Sequence, residues 1–560
     1  MSRSFLIVFI LAAVVVLGLL MLVSGELVIH QGSALVLQLG GSIEEQRPGG
    51  ALGELTGPPV LLMPQILDAI QTAKNDSRIA GLVVKITPLA TGWAKTEEIR
   101  DQILDFRSGG KPAICFLEGD IVGNREYFLA SACNHVWMIP SANLAAAGMM
   151  AQATFYKGML EKLGVEPNMY GIAEYKNYRD QFTEKKFTPA HREATEALLK
   201  NIFAHYVQQA AKARKMEPAA FEKLLEQGPF LAKEAVEKKL VDRLAYWDEV
   251  QGFFKENHQG WMPVTLQRYV KEVQNVGFES IAVIRATGAI VMGGSGFDSW
   301  QGFVMGADSV AADIRRARLD ENVKAIVLRV DSGGGSAAAS ELIRREVKLA
   351  REAKPVVVSM SDAAASGGYW IAMSANKIVA VPTTVTGSIG VVFGKMNISG
   401  LYKLLGLSTD HVATSDNATI LWEQQNFSAE QRKVIDKFMQ DIYSEFTQGV
   451  ADGRDLELDE VLKIAKGRVW TGAQAKELKL VDEFGGLHTA IRLARELAKI
   501  DPERQIRIDM LPEEKTIWEE LAERANPNNV KAGAALGRIR ELMRARDMVE
   551  ARMPFELDIR

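Results

Sequence analysis

The feature that most restricts how this chain can fold is an internal repetition. Residues 78–86 (RIAGLVVKI) match 322–330 (NVKAIVLRV), and 127–141 (YFLASACNHVWMIPS) match 369–383 (YWIAMSANKIVAVPT). The LVD of 240–242 returns at 480–482, and LVLQLGGSI (35–43) has a counterpart in AVIRATGAI (282–290). The offsets are 244, 242, 240 and 247 residues, so order and spacing persist across four blocks. Chance similarity does not keep both, and one fold plan used twice is the reading. At 560 residues two or more domains are expected anyway, because single cores stop growing near about 250–300 residues.

Each copy alternates short apolar runs with longer helical patterns. In the second, 326–330 reads as a strand ending in a glycine turn, 337–351 as a helix, and 355–358 as a short buried strand. Another helix is expected to start near Ser366. Strands alternating with helices of about 10–15 residues predict parallel βαβ units and an α/β class. Further helices are expected at 190–226 and 428–466, with a linker around 250–275. The predicted division is a segment 1–27, a first domain 28–255, a second 276–500 and a charged helical tail 501–560.

Residues 5–23 are 19 uncharged, overwhelmingly apolar positions, about 28 Å as a helix and enough to cross a bilayer core. An uncleaved membrane anchor is the expectation. A cleaved signal is the alternative, although Val23-Ser24-Gly25 is a weak cleavage site. Arg3 on one side and Glu26 on the other place the N-terminus in the cytoplasm and the body outside the inner membrane. Elsewhere 66 basic and 70 acidic residues nearly balance, which gives no concentrated positive field for nucleic acid. The two cysteines, Cys115 and Cys133, lie in apolar surroundings and read as inert buried thiols.

Chemistry points to 363–370, AAASGGYW. A small-residue turn there puts Ser366 at a helix N-terminus, where backbone N–H groups and the positive helix end favour a developing oxyanion. Taken alone, such a turn is ordinary tight packing. It is joined by DSGGGS (331–336), whose consecutive glycines present unobstructed backbone donors. One amide from Gly334 and one from Gly367 would make a two-point oxyanion hole.

The stretches RVDSGGGS (329–336), AAASGGYW, TGSIG (386–390) and WTGAQAKELKLVDEFGG (470–486) resemble the signal peptide peptidase A family, also called protease IV. The duplicated layout is similar to that family's long form across essentially the whole chain. The resemblance implies two tandem Clp/crotonase-like domains of ββα units. It also implies a serine nucleophile at Ser366, remnant signal peptides as substrates and a homotetramer; the sequence has no Walker motif, and no cofactor is expected.

None of the seven histidines lies in a recognisable motif, so lysine is the alternative base if burial lowers its pKa. The family draws that lysine from its first half, and AEYKNYRDQF (173–182) places Lys176 there. Asn177, Tyr178 and Asp180 depart from the family's small residue, Ala and Glu, and Lys185 and Lys186 lie close by. Ser388 of TGSIG corresponds to the serine that hydrogen-bonds the lysine amine. Within the repeat, Asn124 stands opposite Ser366 and Asp416 opposite Lys176. Each copy therefore lacks what the other has, which predicts one site where the halves meet. The competing readings are an acyl-CoA enzyme of the same superfold and a catalytically inactive membrane scaffold.

Overall fold

A computed structural model describes residues 29–48, 60–257, 261–273, 275–298, 302–513, 549–552 and 558–559. The predicted anchor, 5–23, lies outside the described residues; among those described, no helix is long and apolar enough to cross a membrane.

The first half runs β1 (Ser33–Gly41), α1 (Met63–Asn75), β2 (Ile79–Leu89), α2 (Trp93–Ser108), β3 (Ala113–Leu117), α3 (Asn124–Ala130) and β4 (His135–Met138). After β5 (Glu166–Ile172) and the long α4 (Pro189–Arg214), β6 (Arg243–Leu244) and β7 (Pro263–Thr265) complete a six-stranded sheet. Its order is β6-β4-β3-β2-β1-β7, with every pairing parallel.

The second half repeats this plan. It runs β8 (Ser280–Thr287), α5 (Ala307–Leu319), β9 (Val323–Ser332), β10 (Gly334–Ser336), α6 (Ala337–Ala353), β11 (Val356–Ala365), α7 (Gly367–Ala372) and β12 (Lys377–Ala380). Then follow β13 (Val385–Gly387), β14 (Val391–Asn397), α8 (Ala429–Arg454), β15 (Glu483–Phe484), α9 (Leu487–Leu497) and β16 (Arg507–Leu511). The path β15-β12-β11-β9-β8-β16 is again parallel throughout.

The duplication extends to single hydrogen bonds. The Tyr127 hydroxyl donates to the Leu240 carbonyl, and the Tyr369 hydroxyl to that of Leu480, both over 3.0 Å. Asp242 accepts from the Val136 amide as Asp482 does from Ile378, each at 2.7 Å. In each copy the LVD triplet closes the equivalent corner of its own sheet.

The strands of the second sheet are buried on both faces, as parallel strands covered by helices are. Ala282, Ile284, Ile326, Leu328 and Val358 pack under that half's own helices. The alternate residues Val283, Val327 and Val357 join the core of the first half, together with Leu487 and Ala490 of α9. Buried charge also crosses this interface: Arg329, fully buried, meets Glu45 at 2.8 Å and Glu98 at 2.7 Å.

Four expectations need correction. Residues 263–265 and 507–511, assigned to linker and tail, are edge strands of the two sheets, because parallel pairing with β1 and β8 satisfies their backbone groups. Of the tail expected to be helical, 507–511 and 549–552 form strands, and 514–548 lies outside the described residues. The glycine run expected as a turn is strand β10, with Gly335 opposite Ile290. Last, Cys115 and Cys133 are bonded to each other rather than free. β3 and the residues following α3 bring their Cα atoms to 5.7 Å.

Candidate active site

A third sheet joins the halves. β5 of the first half runs antiparallel to β14 of the second over seven residues, from Glu166 opposite Asn397 to Ile172 opposite Val391. Lys176 follows β5 by four residues, and Ser388 precedes β14 by three. That ladder therefore brings a segment near position 176 to one near 388, and β11 ends beside them at Ser366.

Ser366 sits between β11 and α7 with φ 56° and ψ −116°, a left-handed conformation that costs a serine on the order of 1–3 kcal/mol. The surrounding bonds hold it there. Its amide donates to the Gly387 carbonyl at 2.8 Å, and its carbonyl accepts from the Trp370 amide at 2.8 Å. A side chain at Gly368 would lie 2.6 Å from the Ser332 carbonyl oxygen, so the turn needs glycine there. The Ser366 hydroxyl makes no capping bond to its own helix.

Lys176 Nζ lies 2.6 Å from Ser366 Oγ. It also donates to the Ser388 carbonyl at 2.8 Å and meets Ser388 Oγ at 2.9 Å. All three residues are buried, with Lys176 1% exposed. Burial pushes the Lys176 amine well below its ordinary pKa, and no acidic group acts on it in return. A neutral amine has two hydrogens and one lone pair. With the hydrogens given to the Ser388 carbonyl and hydroxyl, the lone pair is left for the hydroxyl of Ser366. The arrangement can accept a proton from an alcohol.

The backbone at Lys176 is fixed from the second half as well. The Tyr175 amide donates to the Lys466 carbonyl at 2.9 Å, and a Cβ on Gly467 would lie 2.5 Å from the Lys176 nitrogen. Lys185, its neighbour in sequence, is 62% exposed and paired with Glu161. The residues that depart from the family pattern have local roles. Asp180 is buried and accepts from the Thr188 hydroxyl at 2.8 Å, while the Tyr178 ring packs against Phe182.

Gly367 opens α7, so its amide belongs to the helix donors that have no intrahelical acceptor. The Gly334 amide, in contrast, donates to Ser332 Oγ at 3.1 Å, and that hydroxyl donates to the Gly288 carbonyl at 2.6 Å. Strand β17 (Val549–Arg552) lies in the same place. Its backbone runs antiparallel to both β10 and β14, with Arg552 opposite Gly334 and Glu550 opposite Val392. A length of extended chain thus lies between β10 and β14. Sequence reasoning missed this, since nothing local in the tail marks a strand.

The repeat positions behave as their residue types require. Asn124 starts α3 where Ser366 precedes α7, and its amide side chain donates to the Gly148 carbonyl at 2.6 Å. Asp416 lies on an exposed single turn.

The family model described as Peptidase family S49 matches residues 105–261 and 348–501, one stretch in each half. "Serine protease SPPA, chloroplastic" of Arabidopsis thaliana is 34% identical over 489 residues, covering 85% of this chain and 71% of the relative. "Protease 4" of Salmonella typhi is 36% identical over 469 residues, 81% of this chain and 74% of the relative. "Protease 4" of Haemophilus influenzae is 30% identical over 501 residues, 83% of this chain and 79% of the relative.

Proposed function

Because the chain belongs to peptidase family S49 and is a serine protease of that family, we propose that Ser366 and Lys176 are its catalytic dyad. The observation that carries this is the 2.6 Å contact between a buried amine with no carboxylate acting on it and a hydroxyl at a left-handed turn.

In this reading the neutral Lys176 amine takes the Ser366 proton as Oγ attacks the peptide carbonyl. The Gly367 amide donates to the resulting oxyanion. Gly334 supplies the second donor once its amide leaves Ser332 Oγ, each donor contributing on the order of 3–4 kcal/mol. The Lys176 ammonium then protonates the departing amine, and as a free base again it activates the water that cleaves the acyl-enzyme. Ser388 keeps the amine aimed throughout. No step calls for a metal or nucleotide.

Each half reads as a Clp/crotonase-like unit. The substrate is an extended peptide lying as a strand between β10 and β14, which is supported by the chain's own β17 in that slot. Remnant signal peptides are the proposed class, with the body outside the inner membrane and held to it through 5–23. The Cys115–Cys133 bond supports an oxidising compartment. A homotetramer is proposed too, supported by exposed Leu404, Leu405, Leu407 and Val412 on one segment of the second half.

A fluorophosphonate probe tests the dyad. The full chain should be labelled at Ser366, and Ser366→Ala and Lys176→Ala should both abolish labelling. An unlabelled parent chain would point instead to the inactive scaffold. Coenzyme A binding without labelling would favour the acyl-CoA enzyme.

A further inference from the structure

The first two turns of α2, in the half without the nucleophile, are spent on the other half. Lys95, Glu97 and Glu98 are all buried, and all three have partners in the second half. Glu97 accepts from the Thr383 amide at 3.0 Å, and Glu98 meets Arg329. Lys95 has the most telling partners. Its Nζ lies 2.8 Å from Asp331 Oδ2 and 3.7 Å from Asp362 Oδ2. Asp331 comes three residues before Gly334, and Asp362 four before Ser366.

These two carboxylates are also built into the backbone. Asp331 Oδ1 accepts from the Ala363 amide at 3.2 Å, which ties the end of β9 to the end of β11. Asp362 accepts from the amides of Gly92 at 3.2 Å and Lys95 at 3.0 Å. It therefore caps α2 from across the interface. In the second half the same helix start is capped locally, by Ser336 Oγ accepting from the Ala339 amide. In the first half the cap residue is Gly92, and a Cβ there would lie 2.2 Å from Asp362 Cγ. The first half has no cap side chain of its own here, and Asp362 fills the space where one would stand.

We propose that Lys95, Asp331 and Asp362 form a positioning clamp that holds the nucleophile strand and the oxyanion strand at a fixed separation. Lys95 touches no substrate in this scheme; it acts through the two strands. The inference rests on the Ser366–Lys176 reading. Without the Lys95 charge the two carboxylates face each other uncompensated. Repulsion between them then spreads β9 from β11 and moves Gly334 relative to Ser366.

The test uses the full chain with Lys95→Met, Asp362→Asn and the two combined. Three quantities are read: the second-order rate of fluorophosphonate labelling at Ser366, kcat and KM on a fluorogenic peptide, and thermal unfolding. Lys95→Met should lower labelling and kcat about 10- to 100-fold, the scale of a roughly 1 Å misplacement, with KM within about threefold. The combined variant should recover part of the loss, since one of the two like charges is gone. A folded Lys95→Met that labels and turns over at the parent rate overturns the clamp, as does a combined variant no faster than Lys95→Met. Should Lys95→Met fail to fold, the near-isosteric Asp362→Asn decides, and an unchanged kcat there overturns the proposal. A parent chain that is never labelled at Ser366 sinks the dyad reading and the clamp with it. Normal parent labelling with unaffected variants sinks the clamp alone.

Discussion

Lys176 and Lys95 are both buried lysines at the junction of the two halves, and their surroundings move their pKa values in opposite directions. Lys176 meets only hydroxyl and carbonyl oxygens, so burial acts unopposed and lowers its pKa. Burial works against the charge on Lys95 too, but the carboxylates of Asp331 and Asp362 outweigh it and hold the amine above its ordinary range. One fold thus disfavours the ammonium form of one buried lysine and favours that of another, and the difference is whether carboxylates lie within reach.

Activity should follow the neutral form of Lys176. The acid limb of the kcat/KM profile is predicted to rise with pH and to have its midpoint well below 10.5, the ordinary lysine value. Lys176→Arg should be inactive at every pH, because a guanidinium cannot give up its proton in this range. A profile whose acid midpoint sits at an ordinary lysine pKa would count against Lys176 as base.

The same shift couples stability to pH. Between the lowered folded value and 10.5 the unfolded chain binds the proton that the folded chain has lost, so stability rises with pH across that window. Lys176→Met removes the group from both states. Denaturant unfolding at several pH values should show the parent gaining on the Met variant as pH rises towards 10.5. Parallel curves would mean that the amine is not desolvated.

Ser388→Ala removes one of the two groups that orient the amine and leaves the Ser388 carbonyl in place. Loss of one hydrogen bond, about 1–1.5 kcal/mol, predicts a fall in kcat of roughly tenfold with KM little changed. Steady-state kinetics on a peptide would read it. A change confined to KM would place Ser388 in substrate binding instead.

Gly467→Ala puts a methyl group 2.5 Å from the Lys176 backbone nitrogen at a residue with φ +76°. Both effects act against it, and a loss of about 1–3 kcal/mol of stability is expected. Activity should fall further than stability alone explains, because the methyl displaces Lys176 from its place beside Ser366. Labelling rate measured against thermal unfolding separates the two effects.

A chain ending at 513 lacks β17, whose backbone lies between β10 and β14. With that slot open, peptide KM is predicted to fall while the labelling chemistry at Ser366 stays intact. An unchanged KM would mean that the tail strand does not compete with substrate.

Much was legible from the linear pattern because it depends on neighbours in sequence. Repeated apolar blocks marked both parallel sheets, and the small-residue stretch around Ser366 marked a turn from strand to helix. The exchange of Asn124 for Ser366 and of Lys176 for Asp416 was also visible, since the repeat supplies its own alignment. β7 and β16 were not, because three to five residues become a strand only when a sheet edge accepts them. The Cys115–Cys133 pairing was hidden for a related reason: thiols 18 residues apart bond only when strand and helix return to the same place.

By itself the sequence determined that one plan is used twice, with Ser366 in one copy and Lys176 in the other. Tertiary structure alone decided that Lys176 is stripped of water beside Ser366 while Lys95 is matched with carboxylates. A pKa depends on what surrounds a group in space, and here those surroundings come from residues some 190 to 270 positions away.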